Sequence, residues 1–129
     1  MENEQYRKII ETYFQAFRSG DFSRVKFSPR LQFLSPLSGD TVNGPEAVVA
    51  FLLGVSSRVT EVNVLSTTVD YPTASGVWQM RTTKGTLYTL NNFFRLDEHG
   101  IAYVWPMYDP KAVMADPDGL VRWLTGKGY

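Results

Sequence analysis

An α+β domain, with helices packed on one face of a curved antiparallel sheet, is the fold class that three features of this sequence predict. Between Asn3 and Ser19 apolar side chains recur at three- and four-residue steps, which places them on one face of a helix. After Arg58 the pattern turns extended, with β-branched residues dominating Val59 to Val69. The stretch from Leu87 to Pro110, LYTLNNFFRLDEHGIAYVWPMYDP, reads as a long β-hairpin rich in aromatics and poor in acids. Helices first and consecutive strands afterwards, joined by short turns, define the class.

Taken in order, the first helix carries Tyr6, Ile9, Ile10, Tyr13, Phe14 and Phe17 on its apolar face and stops at Gly20. Asp21 is placed to cap a short second helix through Phe22 and Val25, because its carboxylate accepts orphan backbone N–H groups. Leu31 to Ser35 reads as a first strand ending at Pro36, and Leu37 to Gly44 as a polar loop. Pro45 and Glu46 suit the first turn of a third helix, Ala47 to Val55, which is apolar nearly all round and should be well buried. Pro72 to Gly76 is expected to turn the chain into a strand at Val77 to Thr83, and Lys84-Gly85 turns it again into the hairpin. Asp116-Pro117-Asp118 can start a last short helix with Leu120, Val121, Trp123 and Leu124, ended by Gly126 and Gly128.

The 129 residues correspond to one domain, 1–129, long enough to bury a core without staples. Thirteen basic residues balance thirteen acidic ones and neither sign forms a run, so nucleic acid and anionic membrane are not expected partners. The absence of cysteine excludes disulfides, thiolate metal sites and thiol catalysis. The start MENEQYRKII is polar and acidic, unlike a secretory signal, and no apolar run approaches membrane-spanning length. A soluble, cytoplasmic protein is the expectation.

The order and spacing of several segments resemble the ketosteroid isomerase-like and SnoaL-like branch of the nuclear transport factor 2-like superfamily. They are Tyr13-Phe14-Gln15-Ala16-Phe17-Arg18-Ser19-Gly20-Asp21, Ser35-Pro36 with Gly44-Pro45-Glu46-Ala47-Val48, Phe94-Arg95-Leu96-Asp97-Glu98-His99-Gly100-Ile101, and Tyr108-Asp109-Pro110. The resemblance implies a cone: a strongly bent sheet wrapped around the first helix, enclosing a mostly apolar cavity, often in a homodimer. In ketosteroid isomerases a tyrosine and a protonated aspartic acid bind the substrate oxygen while a second aspartate moves the proton. The matching positions are Tyr13 for the tyrosine, Asn92 for the neutral acid and Ser35 for the proton-moving aspartate. Many SnoaL-like relatives place a carboxylate three residues before an Asp-Pro pair, and that position is Pro106. The oxygen-binding pair is thus retained in part while the proton-moving acids are replaced.

The resulting ligand-lining set is Tyr13, Phe17, Phe33, Ser35, Trp78, Met80, Asn92, Phe94 and Tyr108, with Tyr13, Asn92 and Asp109 as catalytic candidates. Tyr13 is either a cavity donor or a core aromatic. Asn92, flanked by aromatics, must find partners or lose roughly 1 to 3 kcal/mol. Ser35 has no histidine nearby in sequence to take its proton, and His99, Asp40, Asp70 and Gln79 read as turn or surface residues. An inward Arg81 would point to an anionic ligand. Pro106 cannot donate to a ladder and belongs at a bulge or an edge, where a bulge would aim Tyr108 inward. One histidine among scattered carboxylates makes no metal site, and no cofactor is expected. Three functions compete: a binding module for an apolar or aromatic small molecule, an isomerase, polyketide-cyclase or hydrolase using Tyr13 and Asn92 as oxyanion donors, and an assembly module. In the last, Phe93, Tyr103 and Trp105 form a homodimer face, and it is compatible with either of the others.

Overall fold

The three- and four-residue spacing at the N-terminus folds as α1 (Asn3–Ser19) in this computed structural model, which describes residues 2–35 and 39–109. Tyr6, Ile9, Ile10, Tyr13, Phe14, Ala16 and Phe17 form its buried face. Gln5 Oε1 accepts the Glu2 backbone N–H at 2.7 Å, and Gly20, in the left-handed region at φ 74°, ends the helix by donating to the Ala16 carbonyl. The short helix expected after Asp21 is a single turn instead. Asp21 Oδ1 accepts both the backbone N–H and the hydroxyl of Ser23, at 2.9 and 2.6 Å. Phe22 and Val25 are buried, and β1 (Phe27–Leu34) begins too soon afterwards for a helix to nucleate.

After β1 come β2 (Thr41–Asn43), α2 (Pro45–Ser56), β3 (Val59–Asp70), β4 (Thr73–Thr82), β5 (Leu87–Asp97) and β6 (Gly100–Tyr108). The strands form one curved six-stranded sheet in the order β2-β1-β6-β5-β4-β3, so the class is α+β. The antiparallel expectation holds for every pairing but one: β6, at the end of the β3-to-β6 meander, lies parallel to β1. Register shifts at Leu65 in β3 and at Ala102 in β6 add a residue on one strand, the device that bends a sheet. Pro106, expected at a bulge or an edge, pairs in register with Asn92 beyond the last β1–β6 pair at Val104, and the β6 bulge is four residues earlier.

Two further expectations are corrected. Pro72 to Gly76 is not a turn, because β4 starts at Thr73 and Gly76 pairs with Asn92 inside the sheet. Gly76 is required by a neighbour: a Cβ there would come within 2.6 Å of Phe14 Cζ, so the glycine lets α1 settle on the sheet. The second helix, α2, is also less enclosed than its composition implies. Val48, Leu52, Val55 and Ser56 are buried, whereas Leu53 is 43% exposed, because α2 lies over β1 and β2 at one end of the sheet and only one side is covered. The Ser56 hydroxyl donates to the Phe17 carbonyl at 2.8 Å and ties α2 to α1.

Alternation along β4 and β5 settles which face is inside. Ala74, Trp78, Met80 and Thr82 on β4, and Tyr88, Leu90, Asn92, Phe94 and Leu96 on β5, are buried under α1. The opposite face carries Phe93, Tyr103, Trp105 and Met107, the last two 39% and 37% exposed. No described helix is long and apolar enough to cross a membrane. The loop residues 36–38, the end of the expected hairpin at Pro110, and the expected helix with Trp123 and Leu124 lie outside the described residues.

The β5–β6 turn is fastened to β1 through Asp97. Its Oδ2 accepts from the buried Ser28 hydroxyl at 2.6 Å and from Arg30 at 3.0 Å, and its Oδ1 from the His99 backbone N–H at 2.8 Å. The Asp97 carbonyl takes the Tyr6 hydroxyl at 2.6 Å. Burial by itself raises the Asp97 pKa, but these hydrogen bonds and the Arg30 charge outweigh it and hold the carboxyl below its ordinary value. A carboxyl whose folded pKa lies below its unfolded value stabilises the fold above the unfolded value, near 4, and loses that contribution as pH falls through the folded one. Asp97→Asn is therefore expected to lower the urea midpoint at pH 7 and to lower it less at about pH 3. An equal deficit at both values would show that the charge contributes nothing.

Candidate functional site

The inner faces of the sheet and helices meet around one cavity. α1 contributes Tyr13 and Phe17, β1 contributes Phe33, and α2 contributes Leu52 and Val55. Trp78 and Met80 come from β4, Tyr88, Leu90 and Asn92 from β5, and Pro106 and Tyr108 from β6. Its volume is about 30 Å³. That is room for a pair of water-sized groups, well below the roughly 300 to 1,000 Å³ of a cleft for a drug-sized ligand. Most of the interior is filled by aromatic side chains.

The structure thus brings together Tyr13, Phe17, Phe33, Trp78, Met80, Asn92 and Tyr108. Ser35 and Phe94 are not among the described lining residues. Ser35 is buried at the end of β1, where its backbone N–H donates to the Asp40 carbonyl at 2.9 Å. Phe94 lies behind Tyr13 and Phe14, with ring centroids at 5.6 and 5.8 Å. Leu52, Val55, Tyr88, Leu90 and Pro106 join the lining. Tyr88 and Leu90 carried a signal, their even spacing from Asn92 on one strand. The two α2 residues carried none, because a helix apolar nearly all round does not announce its inner side.

Tyr13 lines the cavity and is packed into the core. Its ring is fully buried and meets Phe14, Phe17, Phe22, Phe27 and Phe94 edge-on, between 5.3 and 6.2 Å, as a core aromatic does. Its hydroxyl has no hydrogen-bond partner among the described residues, and the same holds for Tyr108. Burial raises both phenol pKa values, so each stays protonated and can donate. Asn92 is 1% exposed, and its Oδ1 accepts the Trp78 indole N–H at 3.0 Å. An indole N–H only donates, so this contact fixes which end of the amide is oxygen.

No Asp, Glu, His, Lys or Arg appears among the described lining residues. Asp109, Asp40 and Asp70 are exposed, and His99 is an exposed turn residue with Nε2 3.4 Å from Glu98. Arg81 lies on the outer face, 3.4 Å from Glu61, and donates to the Gly85 carbonyl at 2.9 Å, so it does not point to an anionic ligand. Gln79 shares that face and donates to Thr89 at 3.2 Å. No group of three or more metal-ligating side chains occurs among the described residues. Chemically, the described lining offers hydrogen-bond donors in an apolar shell and no group that exchanges a proton near neutral pH.

A helix laid across the concave face of a curved six-stranded sheet, with a small apolar cavity between them, is the nuclear transport factor 2-like fold. The chain belongs to the family described as Domain of unknown function (DUF4904), whose model matches residues 1–129. No curated protein matches it. Among solved structures it is similar to a de novo designed protein with curved β-sheet, at 19% identity and TM-score 0.80, covering 98% of this chain and 99% of that one. An NTF-2 like protein of unknown function from Burkholderia xenovorans aligns at 13% identity and TM-score 0.73, over 82% and 84% of the two chains. A Jannaschia protein suggested to be a SnoaL-like polyketide cyclase aligns at 16% identity and TM-score 0.71, over 88% and 91%. At these identities the likeness establishes the fold alone.

Proposed function

We propose that this cone binds a compact, uncharged, apolar small molecule and does not turn it over. The observation that carries the reading is the lining itself: an apolar shell around the Asn92 amide and the Tyr13 and Tyr108 hydroxyls, without an ionisable acid or base among the described lining residues. Ligands of a few heavy atoms suit the volume as it stands, and an aromatic ligand enters only if side chains such as Met80 give way. A polyketide-cyclase or isomerase reaction, the alternative, would use Tyr13 and Asn92 as oxyanion donors. It needs a proton carrier, and Asp40 and Asp109 are exposed and outside the described lining.

The test is ligand binding followed by tryptophan fluorescence and thermal unfolding, with xenon, cyclopentanone and toluene as probes. Binding to the folded state raises apparent stability by mass action, by about 2.7 kcal/mol at a hundredfold excess over Kd. If no probe moves either signal up to its solubility limit, the binding reading is wrong. A homodimer through the outer face is proposed alongside it, because Phe93, Tyr103, Trp105 and Met107 cluster there, with the Arg95 guanidinium over the Phe93 and Tyr103 rings at 6.0 and 5.1 Å. A monomeric mass at micromolar concentration would overturn that part.

A further inference from the structure

We infer that Trp78 sets the hydrogen-bonding polarity of the cavity: by occupying the Asn92 oxygen, it leaves a ligand only the donor end of that amide, so the site selects molecules that bring an acceptor. The inference rests on the binding reading above and adds a ligand class and a positioning residue to it.

An unrestrained asparagine is ambivalent, since rotation of its terminal torsion exchanges an acceptor for two donors at little cost. Here the ambivalence is removed by a neighbour. Trp78 and Asn92 are two-residue-offset positions on paired strands: Trp78 is opposite Leu90, and Asn92 is opposite Gly76. The diagonal brings the indole N–H to Asn92 Oδ1 at 3.0 Å, with both side chains almost fully buried. Gly76 has no side chain to compete for the amide. The indole ring is held against Phe14 at 4.9 Å and Phe17 at 5.0 Å, which keeps its N–H, a group that only donates, on the Asn92 oxygen. Rotating the amide would set N–H against N–H in a buried site, leaving donors unsatisfied. No described residue accepts from the Asn92 amide nitrogen.

Two tyrosine hydroxyls offer further donors to the same ligand. The Tyr13 and Tyr108 hydroxyls stay protonated and have no acceptor among the described residues. The Tyr88 hydroxyl is a further polar group of the described lining, but no described lining residue is charged, so an anion would gain hydrogen bonds and lose its hydration without a compensating charge. The matching ligand is a neutral molecule with a carbonyl or comparable oxygen and no need to donate. Trp78 does not itself meet that oxygen through its N–H; it acts by orienting Asn92.

The experiment compares acetone, whose one polar atom only accepts, pyrrole, whose N–H only donates, and acetate, the anionic counterpart of acetone. Affinities are read by NMR titration of the lining side chains, with xenon as the apolar reference. Trp78→Phe keeps an aromatic against Phe14 and removes the N–H. The acetone-to-pyrrole affinity ratio is expected to fall by about fivefold or more in the variant, the size of one hydrogen bond. Acetate should not bind the wild type. If Trp78→Phe proves unstable, Asn92→Leu should produce the same loss of preference. An unchanged ratio in the variant, or acetate binding as well as acetone, overturns the inference while leaving the binding reading intact. If xenon, acetone and pyrrole all fail, the binding reading falls, and the orientation is judged separately. The Asn92 amide protons should show nuclear Overhauser contacts to the cavity tyrosine rings, and contacts to the Trp78 indole proton in their place refute the positioning role.

Discussion

Gly100→Ala is expected to destabilise the fold by about 3 to 5 kcal/mol, the sum of a backbone collision and an unfavourable φ. Gly100 opens β6 immediately after the hairpin turn, at φ 136°, and is buried. A Cβ at this position would fall onto the Lys26 carbonyl, which also accepts the Ile101 N–H at 3.0 Å. Both obstacles are main chain, so no rotamer change relieves them. The segment before β1 would have to move away from β6, which undoes the Phe27–Ile101 register and pulls Ser28 from Asp97. Urea or thermal unfolding measures the effect directly. A loss under about 1 kcal/mol would mean that the two backbones are not in contact.

The second large effect is expected at Trp78. Trp78→Ala should cost about 3 to 5 kcal/mol, the range for removing a fully buried large aromatic. The substitution deletes the stack on Phe14 and the contact with Phe17, leaves the Asn92 oxygen without its donor, and enlarges the cavity by nearly the volume of an indole. That enlargement supplies its own control. Indole added in excess should refill the space and restore part of the lost stability by mass action, whereas the wild type should respond little. A variant that unfolds at the expected midpoint but ignores indole would show that the interior collapses around the deletion. A variant as stable as wild type would contradict the buried placement of Trp78.

Much of the fold was legible because it rests on local periodicity. The face of α1, its stop at Gly20 and the hairpin arms around the Asp97–His99 turn follow from spacing and turn chemistry alone. What sequence concealed depends on distant partners. Gly76 has the composition of a turn, and only the position of Phe14, sixty-two residues earlier, shows it to be a strand glycine under a ring. The parallel β1–β6 pairing has no local signature. The site divides in the same way. Alternation from Asn92 places Tyr88 and Leu90 with it, but the pairing of Trp78 with Asn92 needs the β4–β5 register, and the burial of Ser35 needs the end of β1. Cavity size follows from how large rings interleave, which no residue pattern encodes.

The position of β6 between β1 and β5 has a consequence for how the chain reaches this state. The inner seam of the sheet joins Phe27 to Ile101, one of the most distant pairings in the described chain. Closing so long a loop costs entropy before any contact compensates it, so this seam is expected to slow folding relative to a sheet built of local hairpins. During synthesis the apolar face of α1 therefore emerges well before the strand that completes its cover. The cost of that long loop thus falls on β6, which is neither an edge nor the longest strand of the sheet.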